Sequence, residues 1–143
     1  MKKTSLFICL ILILVISSAC TNDKTLSCTK DYKKDEYDIS ESRAIKYTND
    51  KITFIEAEIR TTLTEDKSNL LETAVKSAEE NLKKYNGHKD IAYSVETEDL
   101  TLIVKLTSKT ISISNDLKDI FGLSTSTYKN DKNHYQDNGF TCK

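Results

Sequence analysis

The sequence predicts an α+β domain: an antiparallel β-sheet of four to five strands packed against one long amphipathic helix, with a short C-terminal helix. Three observations carry this. Several runs alternate apolar and polar residues and are separated by short polar turns, the pattern of strands with one wet face. One run, from about Asp66 to Asn86, instead repeats its apolar residues at spacings of three and four, the period of a helix. Strands joined by short turns pair antiparallel, and a helix with one apolar stripe can then cover the sheet.

The elements follow in order. Leu26–Tyr32 is a first strand carrying Cys28, and Lys33–Glu36 is a charged turn. From Tyr37, the alternation Tyr37, Ile39, Glu41, Arg43, Ile45, Tyr47 predicts a long strand with a mixed face. Asn49-Asp50 is a turn signal. Ile52–Leu63 is the next strand, and the two should form an antiparallel hairpin. Ile55, Ala57, Ile59, Thr61 and Leu63 share one face, and Glu56, Glu58, Arg60 and Thr62 the other. Ile52 and Phe54 have the opposite parity, which predicts a bulge or bend near Phe54.

Leu70, Leu71, Ala74, Val75, Ala78, Leu82 and Tyr85 form the stripe of the main helix. Glu65 and Asp66 near its start, and Lys83 and Lys84 near its end, suit the helix dipole. Gly87 ends it. Ile91, Tyr93 and Val95 mark another strand, and Glu98-Asp99 a tight turn. Leu100, Leu102, Val104 and Leu106 line one face of the last long strand, with Ile103 on the other. Ile111 and Ile113 change parity, which implies a break near Ser108. Ser114 or Asn115 caps a short helix through Phe121, which Gly122 ends. Ser124–Asn138 has almost no apolar residue besides Tyr128 and Tyr135 and reads as a long loop.

The amino end is an export signal. Lys2 and Lys3 precede an eleven-residue apolar run, Leu6–Ile16. A permanent span needs about 20 apolar residues, so this run suits a signal peptide core, residues 1–19. Ser17-Ser18-Ala19-Cys20 then looks like a bacterial lipobox, although Ser17 stands where Leu, Val or Ile is usual. Cys20 is the expected lipidation site, and residues 20–25 form a short tether holding a single domain, 26–143, close to the bilayer. Simple secretion is the alternative.

Cysteine arithmetic bears on this. The four cysteines are Cys9, Cys20, Cys28 and Cys142. Cleavage removes Cys9. With Cys20 lipidated, one pairing remains, Cys28 with Cys142, which would tie the C-terminal tail back to the first strand. Without lipid on Cys20, an odd thiol is left over. Free, buried cysteines are the other reading of Cys28 and Cys142.

Composition narrows the function classes. The chain of 143 residues carries 21 Lys+Arg against 22 Asp+Glu. Losing Lys2 and Lys3 takes the formal net charge from −1 to −3. A nearly balanced surface argues against nucleic acid as a partner. It is also expected to lack the polybasic patch that would strengthen attachment to anionic lipid, so that any second membrane signal must be more acyl chain. Only three glycines are present, Gly87, Gly122 and Gly139, which excludes a phosphate-cradling loop. His88 and His134 are far apart, no His or Cys pair has zinc-ligand spacing, and the Asp131–Asp137 region lacks the glycine of a calcium loop. No metal or cofactor is expected. No serine sits in a nucleophile elbow, and no carboxylate stands in an apolar setting that would raise its pKa for acid catalysis. No catalytic residue is therefore assigned.

Two binding candidates remain. One is the polar loop carrying Tyr128, His134 and Tyr135, whose aromatic and adaptable polar side chains suit contact with a protein, peptide or glycan. The other is the outer sheet face, if Tyr47, Phe54 and Ile103 are exposed together.

Several stretches carry a resemblance: the signal with Cys20, Leu26-Ser27-Cys28-Thr29-Lys30, the hairpin Ile45–Thr53 and the closing Gly139-Phe140-Thr141-Cys142-Lys143. In these the chain resembles small lipoproteins of low-GC Gram-positive bacteria, related to the YehR-like lipoproteins. The resemblance implies an α+β fold and a surface location, and it carries over no catalytic residue. The expected function is a membrane-anchored, extracytoplasmic, non-catalytic binding or envelope-associated module. Its rivals are an enzyme acting on wall or surface material and a small-molecule or lipid carrier with an apolar cavity between helix and sheet.

Overall fold

The structure is a computed structural model that describes residues 22–34, 37–109, 113–125 and 127–143. The signal segment, Cys20 and Ile111 lie outside the described residues.

Among the described residues, six strands form one antiparallel sheet: β1 (Asp23–Lys34), β2 (Tyr37–Thr48), β3 (Lys51–Thr62), β4 (Ala92–Glu98), β5 (Thr101–Ser108) and β6 (Thr141–Cys142). Their order across the sheet is β4-β5-β3-β2-β1-β6. The sheet exceeds the expected four to five strands because the tail itself pairs with β1, opposing Cys142 to Cys28 and Thr141 to Thr29. β1 also begins earlier than expected, at Asp23, so residues 23–25, read as tether, are strand. Three α-helices among the described residues accompany the sheet: α1 (Leu71–Leu82), α2 (Asn115–Phe121) and α3 (Tyr128–Asp137).

The β2–β3 hairpin forms as its turn signal predicts. Asn49 and Asp50 take φ values of 51° and 58°, the left-handed pair that matches the twist of the flanking strands and that Asn and Asp tolerate better than most residues. The register slips between Lys46, which faces Phe54, and Tyr47, which faces Ile52. This bulge turns Ile52 onto the same face as Ile55 and Ala57, resolving the parity conflict in the sequence.

That face carries the core. Leu26, Cys28, Ile45, Tyr47, Ile52, Ile55 and Ala57 from the sheet pack with Ile91, Leu117, Phe121, Leu123 and Tyr135. Each fully buried Leu, Ile or Phe contributes about 1.5–3 kcal/mol by leaving water. The cover differs from the expected single helix. The predicted main helix is α only over Leu71–Leu82, with 3₁₀ turns at Glu65–Leu70 and Lys83–Tyr85. Lys67, Ser68 and Asn69 supply no stripe residue there, and Ser and Asn compete for backbone hydrogen bonds. α1 packs on β4 and β5, but only Leu82 of it is buried. Its small Ala74 and Ala78 bring little area to a contact. The rest of the core face is covered by α2 and α3.

α2 starts and stops as its sequence dictates. The Ser114 side chain accepts from Leu117 N at 3.2 Å, and Gly122 at φ 66° closes it in the left-handed region. α3 is the larger correction. The segment Ser124–Asn138, read as a loop, is helical from Tyr128 to Asp137. Its helical signal is a stripe of polar-tipped residues, Tyr128, Asp131 and Tyr135, at spacings of three and four. An apolar-residue pattern does not register Asp131, which is fully buried.

A disulfide joins Cys28 and Cys142, 114 residues apart in sequence, so the expected pairing is formed and the free-thiol reading fails. It anchors β6, and with it Phe140 and the end of α3, to the first strand.

Candidate functional site

The seating of α3 rests on one buried carboxylate. Asp131 accepts from the Tyr47 hydroxyl at 2.9 Å and from the backbone N–H groups of Ser124 and Thr125 at 3.0 and 3.2 Å. It thus binds helix, strand β2 and the α2–α3 connection to one point. Burial, with the Asp131 carboxylate beside it, pushes the Tyr47 hydroxyl pKa well above the usual tyrosine range. Tyr135, one turn further on, donates to Phe121 O at 2.6 Å, and burial raises its pKa to about 12. Tyr128 meets Tyr47 edge-on, with centroids 5.6 Å apart.

The three loop candidates are therefore spread over one helix. Tyr135 is in the core at 3% exposure and presents no free surface as a loop anchor would. Tyr128 is half-buried over Tyr47. His134, half-buried, lines a groove of about 340 Å³ between α2, α3 and the β1–β2 edge. Among the described residues, no group of three or more His, Cys, Asp or Glu converges where a metal could sit.

Residues that the loop reading missed build this groove. Arg43 occupies a core-facing position opposite Cys28 on β1 and Ala57 on β3. Its Nη2 donates to Glu41 Oε2 at 2.9 Å and its Nη1 to Ser42 O at 2.8 Å. Its guanidinium carbon lies 5.5 Å from the Phe140 ring centroid. On the same ring, Lys30 Nζ lies 5.6 Å from the centroid and donates to Asn138 O at 2.9 Å. Phe140 is thus flanked by two cations, an arrangement its negative ring face favours. Glu41 Oε1 accepts from the Tyr32 hydroxyl at 2.8 Å, which raises that hydroxyl's pKa. Asp119 lines the opposite wall.

The groove therefore offers cationic donors, anionic acceptors and an aromatic surface within one small volume. Its signal was present in the sequence. Glu41 and Arg43 share the parity of Ile39, Ile45 and Tyr47, and charges on a core-facing parity call for partners. Phe140 had no such signal, because its place depends on the Cys28–Cys142 link.

The second binding candidate is overturned. Tyr47 faces the covered side at 1% exposure, and Ile103, on the outer face, is 8% exposed. Phe54 is half-buried with Lys46 Nζ 5.5 Å from its ring centroid. No shared apolar patch joins the three. The outer face is instead a charged ladder. Glu58 pairs with Arg60 at 2.7 Å and Lys105 at 3.1 Å, and Arg60 with Glu98 at 3.3 Å. The Arg60 and Lys105 partners lower the Glu58 pKa. An open cavity of about 490 Å³ lies at one end of this face, between Asp31, Ser40 and Thr101.

No family model and no curated protein sequence matches the chain. Two solved structures resemble it. The NMR structure of the E. coli YehR protein aligns over 85% of this chain and 92% of that one, with a TM-score of 0.58 and 15% identity. The NMR structure of a protein from Streptococcus pneumoniae TIGR4 aligns over 89% and 88%, with a TM-score of 0.50 and 10% identity. At such identities the likeness concerns the backbone alone: the chain has a YehR-like fold, an antiparallel sheet with its helices on one face.

Proposed function

We propose that this protein is a lipid-anchored, extracytoplasmic binding module without catalytic activity, held to the outer face of the membrane through Cys20. Its partner, a protein, peptide or glycan, contacts the groove between α2, α3 and the β1–β2 edge. The observation that carries this reading is the groove's floor: Arg43 and Lys30 flank Phe140 while Glu41 holds Arg43. Donors and acceptors fixed around an aromatic wall recognise polar partners through hydrogen bonding and stacking.

A photo-crosslinking residue at position 134, in the groove, tests the contact against one at Lys46, exposed on the outer sheet face. In membranes of the producing cell, position 134 should give a discrete adduct that weakens at least severalfold in a Lys30→Ala background, and Lys46 should not. Identical adducts from both positions, or none from position 134, would remove the groove from consideration. Intact mass after extraction from membranes reads acylation of Cys20 separately.

A further inference from the structure

The balanced composition hides a sorting of charge along the strand axis. Strand register defines one end of the domain: β1 starts there at Asp23, opposite Thr48 of β2, which faces Lys51 at the start of β3. β4 starts and β5 finishes toward the same end, with Ala92 opposite Thr107. α3 also begins there, since Tyr128 lies against Tyr47 and under Lys24.

Exposed lysines come to this end from six separate places in the chain: Lys24, Lys51, Lys84, Lys89, Lys109 and Lys129. The carboxylates nearby are Asp23, Asp50 and Asp90, with Asp50 3.6 Å from Lys24. The opposite end has the reverse balance. Asp38, Glu65, Asp66, Glu96, Glu98 and Asp99 are exposed there, against Lys33, Lys34, Arg60 and the half-buried Lys67 beside Asp66.

The basic end is also the end from which the chain leaves toward Cys20. Only Thr21 stands between Cys20 and Asn22, and two extended residue steps span at most about 7 Å. A diacylglyceryl group on Cys20 would leave the basic end nowhere to face but the bilayer. We propose that this end is a docking surface for anionic lipid headgroups, which orients the domain with its acidic end outward. Lysines within a Debye length of an anionic surface are attracted to it. The orientation rests on the lipid-anchor reading, whereas the charge sorting does not.

The test uses the mature chain with Cys20→Ser, so that no acyl chain contributes. It measures co-sedimentation with vesicles of 30% phosphatidylglycerol in phosphatidylcholine, and with phosphatidylcholine alone. Binding to the anionic vesicles should be stronger by about tenfold and fall by a similar factor in 0.5 M salt. Lys51→Glu with Lys89→Glu should remove most of that gain. The charge-matched pair Lys33→Glu with Lys34→Glu, at the other end, should change it less than about twofold. Circular dichroism of both variants checks the fold. Equal losses from the two pairs, or no preference for anionic vesicles, would overturn the proposal. So would equally tight binding to soluble polyphosphate, which would make the end a general polyanion site. Anionic-vesicle binding with an unmodified Cys20 in cells would leave the docking surface standing and remove the tether.

Discussion

Asp131 is fully buried among apolar and aromatic side chains, where an isolated carboxylate would be very costly. Its hydrogen bonds from Tyr47, Ser124 and Thr125 make that position tenable. Asp131→Ala strands all three donors in the interior. It should lower the unfolding free energy by about 3 kcal/mol or more. Asp131→Asn keeps an oxygen for the two backbone N–H groups and should cost roughly half as much or less. Urea unfolding of the two variants makes the comparison, and equal losses would mean that the acceptor geometry is unimportant. This residue also marks how a sequence misleads. Buried aspartate has the same letter as surface aspartate, and only its partners distinguish the two.

At the scale of elements, α3 shows what pattern reading captures and what it loses. The paired strands around Asn49-Asp50, the bulge near Phe54 and the Ser114 and Gly122 ends of α2 were all legible, because each is set by a few adjacent residues. The pattern predicts a loop in place of α3 because the helix's inward stripe consists of tyrosines and an aspartate. The helix is joined to β2 and α2 through tyrosine hydroxyls, and this gives a pH dependence. An exposed tyrosine ionises near pH 10. Tyr135 holds its proton to about 12 when folded, and Tyr47 beyond that. Above pH 10 the unfolded chain has lost these protons while the folded one retains them, so stability must fall as pH rises. The expected slope approaches about 1.4 kcal/mol per pH unit per tyrosine between pH 10 and 12. Urea midpoints taken from pH 8 to 11 should show the decline, and Tyr47→Phe should make it shallower. A flat profile in the parent protein would contradict the buried hydroxyls.

Across the whole molecule, the Cys28–Cys142 link closes 114 residues of sequence separation, nearly the entire domain. Loop-closure entropy sets its contribution at about 4–5 kcal/mol. Cys28→Ala with Cys142→Ala should therefore lower stability by several kcal/mol and expose β6 to proteolysis. Because Phe140 precedes β6, the double variant should also loosen the groove around Arg43 and Lys30. Unchanged stability in thermal or urea unfolding would show that the tail is held by packing alone. Local pattern sufficed for strands β1 to β5 and for the α2 caps, since these depend on residue parity and short turns, whereas a count of thiols singles out Cys28 with Cys142 only if Cys9 is removed and Cys20 carries lipid. Three-dimensional assembly was required for the rest: which helices cover the sheet, where Phe140 meets Arg43, and how lysines from six places collect at one end. Those outcomes follow from contacts between residues far apart in the chain. Strand register and the burial of Asp131 create them, and no local window of sequence contains both partners.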